Sequence, residues 1–294
     1  MLAFLFTQGL KRELLMKKKL CLLFFVCCFI KTGHAATISP ASFCLENFDI
    51  GMNMYLGIDL SLSNVSNQGP IDLNVRKPER SRLLKGYEPI PDAKWFYFLN
   101  PQIVPGKDGC AKARMFLKVP NDQQYLNQHW IVHVAASPPK VGLFSMDLVG
   151  FYMIETRASD KISKPPYGPL GVVPSRLHLT HMVFGKNKTG QFWIYNNENK
   201  PQTYSISVKT YQPSMYSKLQ ISQASGFEWI KDVKWIKLST SQVSINGKSK
   251  KELHLQAKIP KGHQYQNEGW EAIIMVESIQ KAGPAGFLRL LLSN

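Results

Sequence analysis

Two hexapeptides in this chain, YLNQHW at Tyr125–Trp130 and YQNEGW at Tyr265–Trp270, lie 140 residues apart. Sliding the sequence by that distance aligns Gly86–Ala136 with Gly226–Val276 without a gap. Thirteen of the 51 columns are identical, and they include Trp95/Trp235, Tyr125/Tyr265, Asn127/Asn267 and Trp130/Trp270. With small gaps the match extends outward, ISP at Ile38 facing VVP at Val172 and GFYMIET at Gly150 facing GFLRLLL at Gly286. The chain therefore holds two copies of one unit of about 120 residues. Solenoid repeats run to about 20–50 residues, so this period marks a domain duplication.

After residue 36 the hydrophobic pattern has period two. Leu253, Leu255, Ala257 and Ile259 fall on one face of a strand, as do Ala113, Met115, Leu117 and Val119. One apolar face at period two is a half-buried strand. Both runs stop at a proline, Pro120 or Pro260, which cannot continue a ladder. Turn signals such as NQGP at Asn67, PGKDG at Pro105 and INGK at Ile245 separate further short runs. This spacing predicts an all-β chain of two tandem antiparallel β-sandwiches. The expected boundaries are residues 36–158 and 172–294, joined by a Pro/Gly-rich, semi-rigid linker over 159–171.

The hexapeptides sit between two predicted strands. Their tyrosine and asparagine belong to a turn, where asparagine tolerates left-handed geometry, and the tryptophan opens the next strand. The expected role is a corner, with rings capping one end of the core and the amide tying the connection down. The alternative is an exposed Trp/Tyr platform for carbohydrate.

The order ISP, alternating run, KGYEPIPDAKWFYF, polar turn, a strand ending in KVP, then QYLNQHWIVHVAA resembles the Ig-like domains of bacterial envelope proteins, of the NPCBM-associated type. The likeness covers both units as a pattern. It implies non-catalytic spacers, adhesins or assembly parts. Pilus chaperones also carry tandem Ig-like domains, but their basic anchor and long donor-accepting strand are not recognisable here.

MKKKLCLLFFVCCFIKTGHA, from Met16, has three lysines, an apolar run over Leu20–Ile30 and small residues at Gly33 and Ala35. It reads as a secretory signal peptide cleaved after Ala35. Its apolar run is far short of the roughly 20 residues that span a bilayer, so no transmembrane span is expected after cleavage. Residues 1–15 read as an upstream extension. The expected location is the periplasm or the cell surface. Cys44 and Cys110 then remain, and an even pair in an oxidising compartment suggests a disulfide, worth about 3–4 kcal/mol for its loop, with two separate buried thiols as the alternative.

Residues 36–294 carry 30 Lys/Arg against 19 Asp/Glu, a net +11. That balance suits anionic neighbours such as wall polymers or acidic glycans, or it serves solubility. The cations are scattered and no nucleic-acid motif occurs, so a nucleic-acid partner is not expected. No hydrolase, zinc-protease or nucleotide-binding motif occurs. His129/His133 and His178/His181 are weak pairs without the further ligands zinc needs. No metal, cofactor or catalysis is expected. The function expected is a non-enzymatic envelope or surface protein acting through protein contacts, including strand addition at an open sheet edge. The alternatives are a periplasmic chaperone or assembly factor for a surface fibre, and a wall- or carbohydrate-binding module.

Overall fold

The computed structural model describes residues 35–65, 69–139, 147–210, 221–265, 267–280 and 282–294. The expected signal segment lies outside the described residues except for Ala35. The first sandwich contains β1 (Thr37–Ser39), β2 (Ser42–Phe48), β3 (Asn53–Ser63), β4 (Ile71–Arg76), β5 (Glu88–Pro89), β6 (Phe96–Phe98), β7 (Gln102–Ile103), β8 (Ala111–Lys118), β9 (His129–Ser137) and β10 (Leu148–Thr156). The second contains β11 (Leu170–Val173), β12 (Arg176–Leu179), β13 (Lys188–Asn196), β14 (Gln202–Lys209), β15 (Phe227–Trp229), β16 (Ile236–Leu238), β17 (Gln242–Ile245), β18 (Ser249–Ala257), β19 (Gly269–Ser278) and β20 (Ala285–Ser293).

The strand order repeats. One sheet runs β1-β3-β8-β6 and its partner β2-β10-β9-β4-β7; the second copy runs β11-β13-β18-β16 and β12-β20-β19-β14-β17. In each copy one short strand runs parallel to the last, β2 beside β10 and β12 beside β20. The chain is thus all-β, two tandem Ig-like sandwiches built by duplication. Period-two strands supply the cores. Trp130, Val132, Val134 and Ala136 of β9 face Leu60, Met115 and Leu117 in the first. Trp270, Ala272, Ile274 and Val276 of β19 face Phe192, Leu253 and Leu255 in the second.

The duplicated aromatics form corners. Trp95 meets Tyr125 at 4.8 Å and Trp130 at 5.7 Å between ring centroids. Trp235 meets Trp270 at 5.3 Å, and Tyr265 meets Trp270 at 4.5 Å. Trp130 and Trp270 are 0% and 1% exposed, which removes the hexapeptide platform as a carbohydrate site. The duplicated aspartates cap the tight turn before each first tryptophan: Asp92 accepts from the Lys94 N–H at 2.9 Å and Asp232 from the Lys234 N–H at 2.8 Å. A short side-chain acceptor satisfies an N–H that the turn leaves without a partner.

The two asparagines diverge. Asn127 is left-handed, with φ +58°, as its turn position leads one to expect. Its Oδ1 accepts from the backbone N–H groups of Ser159 and Ser175, and its Nδ2 donates to the Ser159 carbonyl. One buried side chain thus ties the first corner to the start of the connecting segment and to Ser175, between β11 and β12 of the second sandwich. Asn267 instead donates to Glu228 at the surface. The connecting segment is clamped further. Tyr167 donates its N–H to Gln124 O, Lys164 pairs with Asp122, and Asn197 Nδ2 donates to the Pro166 and Gly168 carbonyls.

The expected Cys44–Cys110 disulfide is absent: both are free cysteines. Cys44 lies on β2, where its thiol faces Glu155 at 3.6 Å, outside the first core. Cys110 is exposed in the turn entering β8, on the opposite sheet. The two side chains point to different sides of the sandwich, which a bridge between adjacent Cβ atoms does not permit.

Candidate functional site

In a half-exposed sheet every second residue of β9, β10, β19 and β20 would meet solvent. Here most of those outward residues are buried as well, Phe151 of β10 excepted. Ile131 of β9 and Met153 of β10 pack against Ile273 and Met275 of β19 and Phe287 of β20, with Tyr87 and Ile221 completing the cluster. This third apolar cluster joins the two sandwiches. His129 stacks on Phe287 at 3.7 Å with 12° between planes, and Tyr87 meets the same ring edge-on. Gly86 permits the approach: it holds φ +89°, and a Cβ there would stand 2.5 Å from Phe287 Cδ1.

Three charges lie inside this face. Arg289 is 0% exposed, Glu271 0% and Glu155 3%. Arg289 Nε donates to Glu155 Oε2 at 2.6 Å and Nη2 to Glu155 Oε1 at 2.7 Å, a bidentate pair between β20 and β10. Arg289 Nη1 donates to Glu271 and to the Ser222 carbonyl. The second Glu271 oxygen accepts from the Ala224 N–H at 2.7 Å. Tyr87 OH donates to Glu155 Oε1 at 2.8 Å. At the edge, Arg176 pairs with Glu46 at 2.7 Å and lies 3.7 Å from Glu155. Isolated buried charges cost many kcal/mol, so the cluster persists only because its members satisfy one another.

The electrostatics follow from burial and sharing. Burial pushes Glu155 upward, but the Arg289 guanidinium outweighs it and holds the carboxyl at about 2. Glu271 shares the same guanidinium, and burial prevails, keeping it above the ordinary carboxylate range. Burial raises the Cys44 thiol to about 12, so it is no nucleophile at neutral pH. Burial lowers His129 to about 4. Strongly shifted groups in a cleft often mark a catalytic site. These are sealed from solvent and spent on one another, which marks a structural joint.

His129 sets a pH dependence. Its folded value lies below the ordinary 6.5, so the unfolded chain takes up the proton first as pH falls. Stability should drop between pH 6.5 and 4, by up to roughly 3 kcal/mol from this group. Glu155 adds a loss from 4.5 towards 2, whereas Glu271, shifted the opposite way, takes up its proton in the folded chain above 4.5 and there offsets part of the His129 loss. Denaturant melts of His129→Gln should show a flatter slope between pH 6.5 and 4 than the parent; equal slopes would contradict the burial of a neutral imidazole.

Beside the joint a cleft of about 750 Å³ opens between Arg80–Glu88 of the first sandwich and Glu277–Ala285 of the second. Leu83 and Leu84 supply apolar wall; Lys85 and Glu277 form an ion pair across it. Among the described residues no group of three or more His, Cys, Asp or Glu is placed to hold a metal ion. His133 instead packs edge-on to Phe151, and His178 Nε2 bonds Ser293 Oγ. No helix among the described residues is long and apolar enough to cross a membrane.

No family model and no curated protein matches this sequence. Solved structures with similar folds include a protein of unknown function from Porphyromonas gingivalis W83, 9% identical, TM-score 0.33, covering 89% of this chain and 100% of that one. The periplasmic chaperone SfaE is 11% identical, TM-score 0.28, covering 88% and 100%. A PapD-like domain of human CEP192 is 7% identical, TM-score 0.30, covering 53% and 97%. At such scores these likenesses carry no weight for function, and the fold rests on its own strand order.

Proposed function

We propose that this chain is an exported, non-enzymatic binding protein of the cell envelope, acting in assembly or adhesion through protein contacts made by two sandwiches locked as one body. The observation that carries this reading is the buried Arg289–Glu155–Glu271 joint. A linker alone would leave the sandwiches free to swing, and relative domain motion is the usual expectation for small polar interfaces. A joint sealed by charge and apolar packing instead fixes the shape of the adjoining cleft. Export rests on the signal-like segment at Met16–Ala35.

Open strand edges supply a second contact surface. β11 pairs with Trp193–Asn196 of β13, and among the described residues no strand covers the same edge at Lys188–Phe192. On β4, β7 pairs with Ile71 and Asp72 alone. Edge backbone that no strand covers can accept an added strand from a partner.

Site-specific photo-cross-linking in the native envelope tests this. A photoreactive residue at Ser278 in the cleft or Thr189 on the open edge should give a discrete protein adduct, and one at the exposed turn residue Lys107 should not. Adducts equal at all three positions, or none at any, would overturn the proposal.

A further inference from the structure

The duplication supplies an internal control for what the sandwich itself requires. On the solvent face of β3-β8-β6, Tyr55, Phe116 and Tyr97 are direct cross-strand neighbours. Their rings form a continuous row, Tyr55 to Phe116 at 5.6 Å and Phe116 to Tyr97 at 5.5 Å with 18° between the latter two planes. The register-matched residues of the second sandwich are Thr189, Gln256 and Lys237. The same sheet position thus carries three aromatics in one copy and three polar residues in the other. The fold tolerates either, so the row is not a requirement of the scaffold.

Charge differs in the same way. Along β8 the exposed face reads Lys112, Arg114, Phe116, Lys118, placing a cation on each side of the central ring. The matching face of β18 and its continuation reads Glu252, His254, Gln256, Lys258. The row is also anchored. Tyr97 OH donates to Asn53 Oδ1 and Tyr55 OH to Asp59 Oδ1, both at 2.8 Å, which holds the rings in place. Tyr55 is 42% exposed. A groove of about 320 Å³ adjoins the row at Asp59, lined by Lys112, Arg114, Asn100 and Leu99. That volume sits at the small end of ligand sites, the size for one compact polar group.

The geometry points to an acidic polysaccharide as the occupant of this face. Aromatic rings bind the apolar C–H faces of sugar rings, while a guanidinium and an ammonium receive a carboxylate or sulfate. The acidic group of one sugar would sit in the groove on Arg114 and Lys112, and the chain would cross the three rings. The dominance of Lys and Arg over the single Asp59 selects an anionic partner, and a row of partly exposed rings across three strands suits the stacked faces of a sugar chain. This site is separate from the joint and cleft, and its failure would leave the assembly reading standing.

The test is affinity electrophoresis of the full chain in gels containing polygalacturonate, neutral dextran or no polymer, with a parallel titration against a poly(dT) oligonucleotide. Retardation by polygalacturonate, weakened by salt and absent in dextran, is the expected result. The triple substitution Tyr55→Thr, Phe116→Gln and Tyr97→Lys installs the second copy's residues and should lower affinity by about tenfold or more, the scale for losing buried aromatic contacts. Arg114→His, also borrowed from the second copy, should lower it similarly, so the proposal does not hang on one variant folding. Thermal melts confirm that each variant is folded. Polygalacturonate binding unchanged in a folded variant, tighter binding to poly(dT), or no retardation by polygalacturonate would each overturn the proposal.

Discussion

Replacing Arg289 with alanine should destabilise the chain by about 3–5 kcal/mol, the usual cost of removing one partner from a buried ion pair. The loss is not the worth of the contacts alone. Glu155 and Glu271 would remain in the joint at 3% and 0% exposure, one of them stripped of its bidentate donor. The reverse experiment separates the two contributions. Replacing all three at once with Met or Leu removes the charges together, and stability should return to near the parent value or above it, as apolar substitution of buried ion clusters often does. Urea melts of the single and triple variants measure both. A single variant within about 1 kcal/mol of the parent would mean that water reaches the joint and solvates the carboxylates.

The corners should be nearly as costly. Trp130→Ala and Trp270→Ala should each lose about 3–5 kcal/mol, the range for large aromatic truncations in a packed core. Trp130 meets the rings of Trp95 and Tyr125, Trp270 those of Phe184, Trp235, His263 and Tyr265, and both are fully enclosed. Among the described residues the indole Nε1 of Trp130 has no hydrogen-bond partner, so the ring acts through packing. Trp130→Phe should therefore retain more than half of the stability that Trp130→Ala loses. A loss as large for phenylalanine would mean that the N–H, not the ring, matters there.

How much of this was legible in the sequence varies with the interaction. The duplication and the period-two runs announced two sandwiches, because both the repeat and the strand pattern are local signals. Asp92 and Asp232 were readable as turn acceptors for the same reason: each bonds two residues ahead. The joint was harder. Its trace was the loss of alternation in WIVHVAA, FYMIET, WEAIIMV and FLRLLLS, runs that stay apolar at positions where a solvated face would be polar. Glu155, Glu271 and Arg289 each break such a run with one charge. Two acids and one base set inside otherwise buried strands were the signal that the charges meet. Nothing local shows which pairs with which, since 134 residues separate Glu155 from Arg289.

The cysteine reading failed on geometry. An even count in an exported chain favours pairing, but only the side on which each side chain emerges decides it, and the outward residues of β2 turned out to face the second sandwich. Asn267 shows the limit of reading function from the repeat. Its twin Asn127 secures the connection to the second sandwich, whereas Asn267 bonds Glu228 at the surface of its own copy.

Differential scanning calorimetry of the full chain shows whether the two sandwiches melt as one body. A single transition is expected, with calorimetric and van't Hoff enthalpies that agree for the pair, splitting into two transitions in Arg289→Ala. Two separated transitions in the parent protein would contradict it, because each sandwich would then melt without its neighbour and the joint would hold neither.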